Sequence, residues 1–291
     1  MLGGLSKKTE QSTEPGPSRT PGNRSHGATT GGDSRHDGKV SFGYSAMRGK
    51  RASMEDYYHA QFRRYPKDDE VVGLFGVFDG HGGSNAAAFV QANLFESLLA
   101  NSKFSSDINA AMEEAFVDTD QRYLQADAGE NRDDGCTAVT AVLVGQKLVV
   151  AHVGDSRAVL LRAGQALALS EDHKPNRTDE RSRIEAAGGV VVWAGTWRVG
   201  GVLAVSRAFG DRLLKRYVVA KPDVRAEELG AGDDVLILAS DGLWDVLSNQ
   251  DACALVKDIP DAEKAAKRLT DEAYSRGSND NISAIVLRFR F

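Results

Sequence analysis

Val71-Val72-Gly73-Leu74-Phe75-Gly76-Val77-Phe78-Asp79-Gly80 is the stretch on which the fold turns. A short, continuous apolar run that stops at Asp-Gly predicts a buried strand followed by a turn. Working outward, a helical pattern through Phe89, Leu94 and Leu98 follows at once, with Ser84 placed to cap it. A second helical pattern covers about 107–126, with Ile108, Met112, Ala115 and Phe116 on one side. Residues 137–144, 147–153 and 157–162 are β-prone, and Gly145-Gln146 and Gly154-Asp155-Ser156 between them predict two consecutive hairpins. Residues 178–187 predict a short helix ended by Gly188-Gly189. Residues 235–239 form another buried apolar run, and it too ends in Asp-Gly. Helical patterns at about 249–257 and 261–276 precede an alternating strand over 282–289. Clustered strands with hairpin links and paired helices argue for antiparallel sheets covered by helices, not for a βαβ repeat.

The bulk numbers agree with one large domain. The chain has 291 residues, 41% hydrophobic and 26% charged, enough to bury a core without disulfides. Cys136 and Cys253 show no metal-type spacing, so both are expected as buried free thiols of a reducing compartment. A net charge of −5 supplies no positive field for nucleic acid or anionic lipid. No apolar run reaches bilayer length, and Met1-Leu2-Gly3-Gly4 lacks a signal-peptide core and a myristoylation glycine. The expected location is therefore cytoplasm or nucleus, away from membranes. Between Ser6 and Lys39 the sole hydrophobic residue is Ala28. Residues 1–38 accordingly predict a disordered tail, and residues 39–291 a single catalytic domain.

Acidic residues stand where apolar strands give way to turns: Glu55-Asp56, Asp79, Asp155, Asp241 with Asp245, and Asp280. One Asp-Gly is an ordinary turn signal. Several carboxylates at neighbouring strand ends repel one another unless cations compensate them. An all-oxygen donor set without a His/Cys cluster suits Mg²⁺ or Mn²⁺ rather than zinc. Gly80 and Gly242 fit the same picture, since a residue without a side chain lets a backbone carbonyl approach an ion. Arg51 adds a planar guanidinium able to clamp phosphate oxygens, and His81 a proton donor for a leaving alkoxide. A binuclear acidic metal site doing phosphoryl chemistry is the reading these residues support.

At these residues the sequence resembles the metal-dependent type 2C serine/threonine protein phosphatases, and in particular their plant members. The motifs stand in the family's order from about Gly43 to Phe291. They are Arg51-Ala52-Ser53-Met54-Glu55-Asp56, Val77-Phe78-Asp79-Gly80-His81-Gly82-Gly83, Asp134-Gly135-Cys136-Thr137-Ala138 and Val153-Gly154-Asp155-Ser156-Arg157. Leu203-Ala204-Val205-Ser206-Arg207-Ala208-Phe209-Gly210-Asp211, Ala239-Ser240-Asp241-Gly242-Leu243-Trp244-Asp245 and Ser278-Asn279-Asp280-Asn281-Ile282-Ser283 complete the set. The resemblance implies an α+β fold: a β-sandwich of two antiparallel sheets flanked on both sides by antiparallel helix pairs, four layers in the order αββα.

It also implies roles. Asp79 bridges two divalent cations, Mg²⁺ or Mn²⁺, and the Gly80 carbonyl binds one. Asp241 and Asp280 complete the direct ligands, with Glu55 and Asp56 acting directly or through water. Asp155, Asp241 and Asp245 match a weaker third-metal position. Arg51 matches the phosphate-binding arginine and His81 the general acid of an in-line attack by metal-activated hydroxide on phosphoserine or phosphothreonine. Residues 192–201 resemble the flap of plant members, with Trp193 and Trp197 as flap-packing and substrate-shaping residues. Trp193 falls near a tryptophan of plant hormone co-receptors, but Trp197 changes the spacing to the following Arg-Val. The implied partners are phosphoprotein substrates and the kinases of a signalling pathway, met by a monomer.

Three other readings fit less well. A silent scaffold would lack a metal aspartate or the arginine. A haloacid-dehalogenase-type enzyme needs a second Asp two residues after the first, where His81 stands. A calcium loop is compact, whereas these acids span most of the chain.

Overall fold

The 71–78 run is a strand that continues through the Asp-Gly pair to His81, and its two faces belong to different layers. Val72, Leu74 and Phe78 pack beneath helices, whereas Phe75 and Val77 face a second sheet. Side chains alternate along a strand, so an apolar run without polar gaps means that both faces are dry. The computed structural model describes residues 28–65, 70–130 and 132–291.

In chain order the first half comprises β1 (Thr29–Ser34), β2 (Val40–Met47), β3 (Asp56–Arg64), β4 (Val71–His81), α1 (Asn85–Ala100), α2 (Ile108–Ala126), β5 (Gly135–Cys136), β6 (Ala138–Val144) and β7 (Lys147–Val153). The second half comprises β8 (Arg157–Arg162), β9 (Gln165–Ala168), α3 (Thr178–Ala186), β10 (Val191–Trp193), β11 (Trp197–Val199), β12 (Phe209–Gly210), β13 (Asp223–Glu228), β14 (Asp233–Ala239), α4 (Asp241–Trp244), α5 (Asn249–Val256), α6 (Ala262–Ser275) and β15 (Ile282–Phe289).

One sheet has the order β1-β2-β15-β14-β8-β9. In the other, β4 lies between β3 and β6, β7 and β13 follow β6, and the short β5 and β12 extend the sheet beside Gly80 and His81. All strand pairs are antiparallel. Phe42, Phe75, Val139, Leu160, Leu238 and Ile285 fill the space between the sheets. Helices α1 and α2 cover the β4 sheet through Leu94, Leu98, Met112 and Phe116. Helices α5 and α6 cover the other through Cys253, Val256, Ala266 and Leu269. The architecture is the expected α+β sandwich with helices on both outer faces. Cys136 and Cys253 are both buried free thiols.

Three local expectations need correction. First, the tail was expected to reach residue 38, but residues 29–34 form β1; the expectation for residues 1–27 lies outside the described residues. Apolar content missed β1 because its order comes from the backbone ladder with β2, from Thr29↔Ala46 to Ser34↔Ser41. Gly32 permits the close approach: a Cβ there would meet the Phe42 carbonyl at 2.5 Å. Second, of the two hairpins expected over 137–162, only the β6–β7 one forms. β8 pairs with β14 and β9 in the opposite sheet, so Gly154-Asp155-Ser156 carries the chain from one sheet to the other. Gly154 makes the crossing with φ +90°, a backbone state that favours glycine. Third, Ser84 occupies the N-cap of α1 but its side chain makes no capping bond. Asp134 does that work from another loop: its Oδ2 accepts the Ala86 N–H at 2.9 Å, and its Oδ1 accepts the Tyr123 hydroxyl at 2.6 Å.

Candidate active site

The C-terminal ends of β4, β7 and β14 and the start of β3 and β15 converge at one end of the sandwich. Asp56 and Asp79 are direct cross-strand neighbours. Asp241 opens α4 just after β14, Asp280 precedes β15, and Asp155 lies in the inter-sheet crossing. They surround a cleft of about 460 Å³ whose lining includes Arg51, Glu55, Asp79, Gly80, His81, Asp155, Asp241 and Asp280. Asp56 is buried just beneath it, 1% exposed, with its Oδ2 accepting the Ser240 hydroxyl at 2.8 Å. Asp245 ends α4 outside the lining.

The packing around these acids is tight. A Cβ on Gly80 would meet the Glu55 carbonyl at 2.6 Å, and one on Gly242 would meet the Asn281 carbonyl at 1.9 Å. Asn281, which carried no role in the sequence reading, ties the site together. Its Nδ2 donates to the Arg48 and Ser53 carbonyls at 2.8 and 2.9 Å, and its Oδ1 accepts the Glu55 N–H at 2.7 Å. Glu55 in turn accepts the Gly83 N–H at 3.2 Å and the Ser53 hydroxyl at 2.8 Å.

Electrostatics show what the cluster demands. Burial, and then Asp56, Asp241, Asp155 and Asp280, push the Asp79 carboxyl well above the usual carboxylate range. Burial, and then Asp155, Asp245 and Asp280, do the same to Asp241. Asp56 is pushed up to about 6, chiefly by burial. Carboxylates forced together out of water need positive charge if they are to ionise. The donors are hard oxygens at strand ends with glycines that clear the approach, so the residues fit a divalent-cation centre of the Mg²⁺/Mn²⁺ kind. A second cluster, His152, His173 and Asp223, is of another character. Asp223 is paired with Arg207 at 2.8 Å and His173 at 3.1 Å, and His152 Nε2 bonds the Glu171 carbonyl at 2.8 Å. Both ring nitrogens of His173 are thus bonded, Nδ1 accepting the Gly154 N–H at 3.2 Å, and this braces the loop before Asp155.

Arg51 stands at the mouth, 58% exposed, with Nη2 at 2.6 Å from Asp280 Oδ2. His81 is held from the side: its Nε2 lies 2.9 and 3.0 Å from the two carboxylate oxygens of Asp211. Burial alone would depress the imidazole, but the Asp211 hydrogen bond and charge outweigh it, so His81 is raised and favours the cation. Nε2 is thereby committed to Asp211. Asp211 was missed as a site residue. Its signal is the Phe209-Gly210-Asp211 motif, and its backbone is left-handed at φ +47°, uncommon for a residue with a side chain.

The two tryptophans lie on the separate β10–β11 hairpin, packed edge to face with centroids 5.5 Å apart. Trp193 is 64% exposed, and Arg181 stacks 5.7 Å above Trp197. From this flap it is Arg198, not either tryptophan, that lines the cleft.

The protein phosphatase 2C family model matches residues 40–282. The chain belongs to the protein phosphatase 2C family. A probable protein phosphatase 2C 59 of Arabidopsis thaliana is 57% identical over 263 residues, 90% of this chain and 84% of that protein. A rice relative (Oryza sativa subsp. japonica), named probable protein phosphatase 2C member 13, mitochondrial, is 57% identical over 265 residues, 90% of this chain and 72% of its own. Among solved structures, the serine-threonine phosphatase 2C from Toxoplasma gondii superposes with a TM-score of 0.82 at 26% identity, covering 90% of this chain and 99% of that one. This chain is thus a plant-like type 2C phosphatase: a serine/threonine protein phosphatase, of a metal-dependent family, that acts on phosphoproteins.

Proposed function

We propose that this type 2C phosphatase holds two divalent cations, Mg²⁺ or Mn²⁺, through Asp79, the Gly80 carbonyl, Asp241 and Asp280. Glu55 and Asp56 act directly or through water, and a weaker third position lies toward Asp155 and Asp245. The observation that carries the reading is the convergence of buried, mutually repelling carboxylates on the cleft that also contains Arg51 and His81. Bound cations would supply the acidity that activates a water and the charge that offsets the phosphoryl oxygens. The chain's own residues do the rest. Arg51 swings from Asp280 to clamp the phosphoryl group, for which a planar guanidinium is suited. His81, kept cationic by Asp211, donates its Nδ1 proton to the departing seryl or threonyl oxygen. The walls of the cleft, with Arg198 from the flap, orient the phosphopeptide, while Trp193 and Trp197 shape the flap around it.

The test is hydrolysis of a phosphothreonine peptide with Mn²⁺, with EDTA and with okadaic acid. Activity that persists in EDTA, or that okadaic acid abolishes, would sink the reading. We also assign the protein to cytoplasm or nucleus, as a monomer facing signalling kinases. Among the described residues no helix is long and apolar enough to cross a membrane. Because a rice relative is named as mitochondrial, imaging of a C-terminal fluorescent fusion against a mitochondrial marker decides the location. Light scattering decides the oligomeric state.

A further inference from the structure

Asp155 meets a lysine. Lys174 Nζ lies 2.5 Å from Asp155 Oδ2, and the two groups approach from opposite sides: Asp155 lines the cleft, whereas Lys174 lines the adjoining groove with Arg157, Asp172 and Asn249. The backbone on both sides of this pair is fastened. His173, fully buried, donates its backbone N–H to the Gly154 carbonyl at 2.8 Å and accepts the Gly154 N–H at Nδ1 at 3.2 Å. The residues just before Lys174 and Asp155 are therefore laced together. Ser206 fastens the same segment, its N–H and hydroxyl both bonding the His173 carbonyl, at 2.8 and 3.0 Å. Pro175 then disfavours a helical backbone at Lys174.

Charge points the same way. Burial works against the Lys174 ammonium, but Asp155 and, further off, Asp241 and Asp172 more than offset it. Lys174 also acts on Asp245, where it opposes the rise caused by burial and the other acids. The nearby Arg157 is committed elsewhere: Nε and Nη2 bind Asp172 at 2.9 and 2.7 Å, and Nη1 binds Asn249 at 2.8 Å. Arg157 thus acts on Asp155 and Asp245 only from a distance, whereas Lys174 delivers its positive charge to Asp155 in direct contact, from behind the rim.

We propose that the Lys174 ammonium is a built-in counter-cation of Asp155, so that any divalent cation on the Asp155/Asp241/Asp245 side of the cleft binds against it. This rests on the metal-centre reading above and deepens it: the weakness of the third position is set by a residue of the chain, not by a shortage of carboxylates. A fixed positive charge a few ångströms from a divalent ion is strongly unfavourable at protein dielectric values. Removing it is expected to tighten the third position at least about tenfold.

The experiment is Mn²⁺ binding to the metal-free full chain, followed by the electron paramagnetic resonance of free Mn²⁺ and by calorimetry. Wild type is expected to show two tight sites and one weak one. Lys174→Met should tighten the weak site at least about tenfold and leave the tight pair within about twofold. Lys174→Arg, which keeps the charge, should resemble wild type. Asp155→Asn should erase the weak site in either background. A weak site that is unchanged or weakened in Lys174→Met overturns the proposal while the tight pair stands. Absence of a tight pair in wild type overturns the metal-centre reading and the proposal with it. Lys174 is 40% exposed, so the variants are expected to fold; Lys174→Gln provides the same charge removal if Met does not.

Discussion

Replacing Asp211 by Asn removes the negative charge beside His81 while keeping a side chain of the same shape. In the native protein the two Asp211 oxygens lie 2.9 and 3.0 Å from His81 Nε2, and Asp211 is itself buried at 4% exposure. Burial already works against the imidazolium, and Asp211 is the first contribution that opposes it. Hydrogen bonds to charged groups contribute about 1.5–3 kcal/mol, so losing this one lowers the His81 pKa and, at 1.36 kcal/mol for each tenfold, cuts the protonated form by about 10–10²-fold where the imidazole is mostly neutral. His81 must be protonated to donate, so activity declines as pH rises through its pKa. The sign follows: the alkaline limb of the profile moves to lower pH in Asp211→Asn. The assay is kcat/KM for a phosphothreonine peptide and for p-nitrophenyl phosphate, each from pH 5.5 to 9.5. The peptide should lose up to about 10–10²-fold at pH 8, because an alkoxide needs the proton, and the nitrophenyl ester far less. An alkaline limb that stays in place, or equal losses on both substrates, would refute the role given to Asp211 and His81.

Other outcomes follow from the same geometry. Arg51→Ala should raise KM for phosphopeptide about tenfold or more with a smaller change in kcat, measured by steady-state kinetics. The metal-free protein should lose stability as pH rises from about 4 through the Asp56 value of about 6 and beyond. These carboxyls have raised pKa values, so their favourable neutral form is lost on ionisation, at about 3 kcal/mol for the Asp56 displacement alone. Asp79→Asn should flatten that dependence in thermal melts of the metal-free protein and abolish activity at ordinary Mn²⁺. Gly242→Ala places a Cβ 1.9 Å from the Asn281 carbonyl and should weaken Mn²⁺ binding at least tenfold in titration, without any change of charge. Phe75→Ala, at the centre of the inter-sheet layer between Phe42 and Phe62, should cost about 3–5 kcal/mol in urea unfolding.

Much of this was legible before folding because strands and their ends are local. The 71–78 run announces a strand dry on both faces, although the strand runs on through Asp79-Gly80 to His81. The final strand, 282–289, was read with its observed bounds. What local reading missed is instructive. β1 holds hardly any apolar residue and is ordered by its backbone ladder with β2 and by the Thr30 hydroxyl donating to Glu263, which no hydrophobic pattern reports. The turn at Gly154 looks like a hairpin because a glycine with positive φ serves equally well for a hairpin and for a crossing. Only the choice of partner, β14 rather than β7, separates them. The cap of α1 shows the same limit: Ser84 has the right chemistry, yet the bond is made by Asp134 from across a loop.

The sequence by itself determined which residue types are present and in what order: the acids at strand ends, the arginine, the histidine and the α+β alternation. Those follow from local periodicity and turn chemistry, which act over a few residues. The tertiary structure alone decided which groups share a volume. It set Asp211 against His81, 130 positions away, Asn281 against Glu55, 226 positions away, and Lys174 against Asp155. It also took both tryptophans out of the cleft lining and put Arg198 into it. The physical reason is that charge and hydrogen bonding act through distance in space. The distance between two side chains at opposite ends of a chain is set by how two sheets pack, and the pattern along either strand leaves it open.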